Sequence, residues 1–161
     1  MDFHPVTEKI VGLLKENEYW YEAFEHEAVR TSEEAARVRP EYTMNQGAKA
    51  LILKAYFADG ERFVMFVFPA DLKLDSKKAA GAIGAKKIRF ATEEEVSQIT
   101  NGVELGGVPP FGNLFNIEVV VDPSLFRNEK IIFNAGDRRF SVAMMSEDFI
   151  RLVNPKIISI T

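Results

Sequence analysis

The sequence predicts an α+β fold: a mixed, mainly antiparallel sheet curled into a barrel-like core with helices around it, as one domain over residues 1–161. Three observations predict it. Apolar stretches of strand length alternate with short helical patterns, and the clearest pair of strands is joined by a tight turn rather than a helical crossover. A chain of 161 residues that is 47% hydrophobic, with 13 Phe, is long enough for one core and too short for two comfortable ones. There is no internal repeat and no linker-like tract.

Taken in order, Pro5 suits a first helical turn, and Val6, Ile10, Leu13 and Leu14 follow at helical spacing, which predicts a helix to about Glu16. Trp20, Glu22 and Phe24 alternate with Tyr21 and Ala23, giving a short strand that ends near His26. Thr31 with Glu34 reads as a capping box for a helix through Val38, ended by Arg39-Pro40. Ala50–Phe57, Asp59-Gly60 and Arg62–Phe68 read as a hairpin whose strands are buried on both faces. Asp75 caps a helix over Ser76–Ile83 that stops at Gly84, and Lys87–Phe90 is a short strand. Thr92 and Glu95 form a second capping box, for a helix carrying Val96 and Ile99. Thr100–Asn113, rich in Gly and Pro, is a structured loop. Strands are predicted over Asn116–Asp122, Lys130–Asn134 and Phe140–Met145, with a turn at Ala135–Asp137; a helix near Glu147–Leu152 and a strand over Lys156–Ile160 complete the chain.

Composition narrows the function classes. Without cysteine there is no disulfide, no thiolate nucleophile and no Cys-ligated zinc, which fits a reducing compartment, and the cytoplasm is expected. Residues 1–15 mix charge with isolated apolar positions, so neither a secretory stretch nor a membrane span is expected. The net charge of -4 offers no general attraction to phosphate, yet Asp71–Phe90 carries +4 through Lys73, Lys77, Lys78, Lys86, Lys87 and Arg89, leaving -8 for the rest. This stretch reads either as a solvated helix face or as a local basic surface.

The familiar catalytic constellations fail in turn. No Lys-Ser/Thr pair follows the glycines of Gly102–Gly112, so there is no P-loop, and no Gly-x-Ser-x-Gly elbow is present. His4 and His26 lie apart without metal-ligand spacing, and no metal is expected. Glu33, Glu34 and Glu93–Glu95 occupy predicted first helical turns, where negative charge complements the helix dipole. Two features remain. Lys49 stands before Ala50-Leu51-Ile52-Leu53, sharing a strand face with Leu51 and Leu53; it is either a strand-edge lysine whose head reaches water or a cation on an apolar wall that needs an anion. Leu105-Gly106-Gly107-Val108-Pro109-Pro110-Phe111-Gly112 is either a rigid corner or a turn that holds N–H groups toward a ligand oxygen.

Several segments, in this order, resemble the YbaK/prolyl-tRNA-synthetase-associated editing domain family. They are Phe24-x-His26 with Thr31-x-x-Glu34-Ala35-Ala36; Gly47-Ala48-Lys49-Ala50-Leu51; Leu72-x-Leu74-Asp75; the Gly106–Gly112 loop; Val121-Asp122; and Asn134-Ala135-Gly136. The resemblance implies a barrel-like α+β fold and hydrolysis of the ester between an amino acid and the tRNA 3′ end, typically alanine or cysteine on proline tRNA, with serine or threonine in other relatives. It implies that Lys49 positions the terminal adenosine and the ester, that Gly106 and Gly107 take part in catalysis, and that Val108, Pro109, Pro110, Phe111 and Gly112 complete the contacts to the aminoacyl group. Phe24, His26, Thr31, Asn134 and Gly136 are expected around the substrate. The substrate's own ribose hydroxyl assists, so neither cofactor, metal nor protein nucleophile is implied. The form Pro109-Pro110-Phe111-Gly112 is nearer to the alanine-specific branch. The implied partners are aminoacyl-tRNA and an aminoacyl-tRNA synthetase. A non-catalytic module that binds aminoacyl-tRNA or a synthetase stands as the alternative, as does a deacylase for another small aminoacyl ester.

Overall fold

The computed structural model describes residues 2–29 and 31–161, with every side chain among them except that of Ser32. Alternation along two long strands sets the centre of the fold. β2 (Ala48–Phe57) and β3 (Gly60–Pro69) pair antiparallel from Ala48 opposite Pro69 to Phe57 opposite Gly60, the expected hairpin. Two strands follow in sequence, β4 (Lys87–Phe90) and β5 (Glu118–Val121); with the two-residue β8 (Lys156–Ile157) they complete a five-stranded sheet in the order β4-β2-β3-β5-β8. β4 joins antiparallel, whereas β5 and β8 join parallel, so this sheet is mixed. Ala48, Ile52, Met65, Val67, Val119 and Val121 point into the principal core. Leu53, Ala55, Val64, Phe66 and Val120 point the other way, into a second core closed by helix α3 (Ser76–Ile83) and Ile160. The expectation of burial on both faces therefore holds for β3 from Val64 onward, while β2 is only partly covered.

The second sheet has three antiparallel strands in the order β1-β7-β6: β1 (Tyr21–Glu25), β6 (Lys130–Asp137) and β7 (Phe140–Met145). Ile131, Phe133, Val142 and Met144 on its inner face share the principal core with Val6, Ile10 and Leu14 of α1 (Pro5–Glu16) and Phe149 of α5 (Ser146–Val153). Its outer face carries Ile132 and Ala143 beneath Tyr42, next to the segment that contains α2 (Ser32–Val38). A single parallel bridge, Gly47 to Ile132, joins the two sheets. The mixed, mainly antiparallel α+β expectation holds, but the strands divide between two sheets, and among the described residues no ring of pairings closes them into a barrel.

Most expected boundaries are close. Thr31 caps α2 through the Glu34 N–H, Asp75 caps α3 through the N–H groups of Lys77 and Lys78, and Gly84 ends α3 at φ +71°. The Thr92/Glu95 capping box opens α4 (Glu93–Thr100). Three expectations are corrected. Ala135–Asp137 is not a turn but the end of β6: Gly136 at φ +99° forms an irregularity that lets pairing resume at Asp137, and the turn falls at Arg138-Arg139, where Asp137 accepts the Arg139 N–H at 2.9 Å. Asn116 lies in the left-handed region at φ 59°, so β5 starts later than expected. The final strand stops at Ile157: after one more backbone bond, from Ile158 N to Val121 O at 3.0 Å, the last two residues turn to a side chain. Short 3-10 turns at Met44–Gln46, Leu105–Gly107, Gly112–Phe115 and Pro123–Arg127 carry no periodic signal long enough to read.

The side chain that holds the last residues is Asp122, 2% exposed. Its Oδ1 accepts from the N–H groups of Ile160 (2.8 Å) and Thr161 (3.2 Å), and its Oδ2 from Ser124 N (3.1 Å). Burial alone would raise its pKa, but the hydrogen bonds from Ile160, Ser124 and Thr161 outweigh it and hold the carboxyl below its ordinary value. Because the folded pKa is depressed, this contribution is present at neutral pH and lost as the pH falls through and below 3.8. Asp122→Ala is expected to cost about 3 kcal/mol at pH 7, measured by urea unfolding, and much less near pH 3.

Candidate active site

A cavity of about 170 Å³ opens where the two sheets meet. One wall is the start of β2, residues 47–51; a second is the 3-10 turn with Leu105, Gly106 and Val108; a third is the outer face of β6 with Ile132 and Asn134; the fourth is the α2 segment with Thr31, Ala35, Ala36, Arg39 and Tyr42. The Gly47–Ile132 bridge brings the first and third walls together. Lys49 and Arg39 are the charged residues of the lining, and no carboxylate lines the cavity among the described residues. The walls are otherwise mostly small and apolar, including Ala35, Ala36, Ala48, Ala50 and Ala70.

The expected residues separate into two groups. Lys49, Gly106, Val108, Thr31 and Asn134 line the cavity. Lys49 is exposed and makes no ion pair or hydrogen bond to any described residue, so its ammonium is free to meet a ligand. Gly106 is exposed in the turn, and its carbonyl accepts from Asn134 Nδ2 at 2.7 Å.

Phe24, His26, Gly107, Pro109, Pro110, Phe111, Gly112 and Gly136 lie outside the lining, and physical reasons account for several. Gly107 is buried and donates its N–H to Glu104 O at 2.9 Å; a Cβ there would sit 3.1 Å from the Asp137 backbone, so it is a close-approach glycine. Phe111 is fully buried, with its ring centroid 5.5 Å from that of Phe133 and 5.6 Å from that of Phe149. Pro109, Pro110 and Gly112 are buried on either side of it. Gly136 makes room for α1, since a Cβ there would meet Val6 at 2.6 Å and Thr7 at 2.7 Å. Phe24 packs edge-on against Tyr42.

His26 acts one layer back. Its Nδ1 donates to Glu27 O at 2.7 Å, which leaves Nε2 as acceptor for the Ser141 hydroxyl at 2.6 Å. Ser141 Oγ in turn accepts from Arg39 Nε at 3.0 Å, and Arg39 Nη2 donates to Asn134 Oδ1 at 2.5 Å. A continuous chain of hydrogen bonds thus runs from His26 through Ser141, Arg39 and Asn134 to the Gly106 carbonyl. Arg39 is 7% exposed and has no carboxylate partner among the described residues; burial pulls its pKa down to about 10, still well above neutrality. Tyr42, beside it, donates its hydroxyl to Glu22; burial and that carboxylate raise its pKa and keep the phenol protonated.

Arg39, Ser141 and Tyr42 escaped the sequence reading. Arg39 was visible only as the end of a helix before Pro40. A trace existed in Phe140–Met145: Ser141 alternates with apolar neighbours on a face where Asn134 stands directly opposite, so two polar residues share one patch of a largely apolar surface.

The basic stretch does not form one patch at the cavity. Lys73 follows the cavity-lining Ala70, and Lys77 and Lys78 sit in the first turn of α3, where Lys78 Nζ reaches Thr161 O. Lys87 and Arg89 are on β4, opposite Tyr56 and Lys54, beyond the cavity-lining part of β2; Lys86 just precedes them. Arg89 is neutralised by Glu95 at 2.7 Å, and Lys87 lies over the Tyr56 ring at 4.8 Å. No group of three His, Asp or Glu is placed to hold a metal ion among the described residues, and no helix among them is long and apolar enough to cross a membrane.

The family model for the aminoacyl-tRNA editing domain matches residues 26–152. The chain is similar to the multifunctional Ser/Thr-tRNA deacylase ProXp-y of Escherichia coli K12, with 31% identity over 153 residues, 94% of this chain and 90% of the relative. It is also 28% identical to the prolyl-tRNA editing protein ProX of Acetoanaerobium sticklandii, over 89% of this chain and 88% of the relative. A crystal structure described as a candidate trans-editing enzyme for prolyl tRNA synthetase superimposes with a TM-score of 0.81 at 23% identity, covering 99% of both chains, and so shares the fold.

The hydrogen-bond chain leads to a pH prediction. Burial lowers the His26 pKa from 6.5, as does the nearby Arg39 charge; the Glu27 carbonyl and Asp137 oppose this incompletely. The unfolded chain then takes up the proton before the folded one does, so stability is retained above pH 6.5 and falls as the pH drops below it. NMR titration should place the His26 midpoint below 6.5, and His26→Gln should flatten the stability loss between about pH 6.5 and 5. A midpoint at or above 6.5 would contradict this account.

Proposed function

The chain belongs to the aminoacyl-tRNA editing domain family, and we propose that it is a hydrolase that removes a small, wrongly attached amino acid from the 3′ end of a tRNA. The observation that carries the reading is the meeting of Lys49 and the Gly106–Val108 turn on one cavity of alanine-walled dimensions. A free ammonium at the mouth suits the phosphate and ester oxygens of a terminal nucleotide, and the turn presents backbone to the acyl group that follows. In this proposal Lys49 orients the ester, amide groups of the turn other than that of Gly107, which Glu104 O holds, stabilise the carbonyl oxygen as negative charge develops there, and water attacks with help from the substrate's neighbouring ribose hydroxyl. Small-residue walls limit acyl size. Volume alone separates near-isosteres by only about 1–3 kcal/mol per methylene, which is why a second hydrolytic sieve is useful to translation.

Proline tRNA carrying alanine or cysteine is the substrate implied by the sequence resemblance, and serine or threonine is the one suggested by the name of the E. coli relative. Both fit a small cavity. Lys73, Lys77 and Lys78 are proposed to meet the acceptor strand, being nearest along the chain to the cavity-lining Ala70. Lys86, Lys87 and Arg89 would extend that contact for a longer acceptor stem. A synthetase is proposed as the second partner, supplying tRNA affinity that a chain of net charge -4 lacks.

The test is ester loss from purified tRNA charged with alanine, cysteine, serine or threonine. Catalytic turnover is expected on at least one; stoichiometric binding without turnover would instead identify a binding module. Lys49→Ala is expected to lower kcat/KM about 100-fold or more. As an exposed, unpaired side chain it should shift stability by no more than about 0.5 kcal/mol. A large loss of melting temperature would return Lys49 to a structural role. Lys73→Glu with Lys77→Glu should raise KM and leave kcat nearly unchanged, with an effect that shrinks at high salt.

A further inference from the structure

We infer that Arg39 sets the class of acyl group this cavity accepts: its guanidinium selects an amino-acid side chain ending in a hydroxyl over one ending in a methyl. The inference rests on the proposed deacylase reading and adds a substrate class and the residue that enforces it.

Arg39 differs from every other basic residue among those described. It is 7% exposed, lines the cavity and has no carboxylate partner. Two of its three nitrogens are fixed by neutral oxygens: Nε by Ser141 Oγ at 3.0 Å and Nη2 by Asn134 Oδ1 at 2.5 Å. Nη1 has no partner among the described residues, yet it is not among the polar atoms sealed from solvent, so it is open where Arg39 borders the cavity. A guanidinium clamped along two edges cannot swing away to find water, so the third edge is a donor of fixed direction.

The order of groups in the substrate decides what meets that donor. Phosphate, ribose, ester and amino-acid side chain succeed one another from the tRNA inward, because only the side chain is free of the macromolecule outside. Lys49, exposed at the mouth, is therefore matched with the outer groups, and Arg39, almost wholly buried, with the innermost one. A serine or threonine hydroxyl gives Nη1–H a third neutral oxygen of the kind that already holds the other two edges. An alanine methyl displaces water from the donor and gives nothing back, leaving a desolvated N–H. Ala35, Ala36 and Ala48 on the walls keep the accepted side chain short. A site built to hydrogen-bond a group discriminates against its absence far more strongly than an apolar pocket discriminates by size.

The experiment compares kcat/KM for one tRNA charged in turn with serine, threonine, alanine, cysteine and aspartate, using the full chain and its Arg39→Met and Arg39→Lys variants. Wild type is expected to favour seryl over alanyl ester by about 10- to 100-fold, the range for one hydrogen bond to a charged group. In Arg39→Met the ratio should collapse toward one, and in Arg39→Lys it should fall between. The ratio is internal to each protein, so a partly unfolded variant lowers both rates and leaves it intact. Equal loss on every substrate in a folded Arg39→Met would overturn the inference, since Arg39 would then act only by holding Asn134 and the turn. A wild type without preference for serine or threonine over alanine, or one that prefers aspartate, overturns it even if no variant folds. Turnover on none of the five overturns the deacylase reading itself, a distinguishable result.

Discussion

Phe111 ties the glycine-proline turn to the centre of the molecule. Its ring stands between Phe133 of β6 and Phe149 of α5, wholly removed from water. Burying a ring of that size is worth on the order of 2–3 kcal/mol, enough to hold one end of an otherwise irregular segment in place. The other end is held by polar contacts, with the Gly107 N–H on Glu104 O and the Asn134 amide on Gly106 O. Between these anchors Leu105, Gly106 and Val108 have little freedom, and the cavity has one rigid wall that costs no entropy to order when a ligand arrives.

A second constraint is electrostatic. Arg39 retains its charge in a buried position through neutral dipoles rather than an opposing carboxylate, an arrangement that leaves the positive field available to whatever enters. His26 and Ser141 never touch the cavity, but they fix the hydrogen positions that keep the guanidinium in one orientation. The whole chain is acidic while this one hollow is cationic, so attraction is concentrated at the site instead of spread over the surface.

Much of this was legible in the sequence, for identifiable reasons. Strand alternation, the Asp-Gly hairpin and the capping residues Thr31, Asp75 and Thr92 are local signals, and local structure obeyed them. Lys49 and Gly106 stood out because a cation before an apolar run and a paired glycine are unusual where they occur. The division of the strands into two sheets was not legible, since pairing partners such as Gly47 and Ile132 are far apart along the chain and carry no mark of each other. The string Pro109–Gly112 was read as contact surface, whereas it is the buried root of the turn; from spacing alone, a residue that shapes a site and one that touches its ligand look alike. Arg39 was invisible for the opposite reason: its significance lies in two partners, Asn134 of β6 and Ser141 of β7, and not in its neighbours along the chain.

The seam between the sheets has one more implication. The cavity is bounded on one side by a five-stranded sheet and on another by a three-stranded one, which meet at the Gly47–Ile132 bridge beside the core that both inner faces share. Close-packed interiors compress little, so a hollow at that junction is where pressure finds volume to remove. Hydrostatic pressure is therefore expected to act on this hollow before it disturbs either sheet.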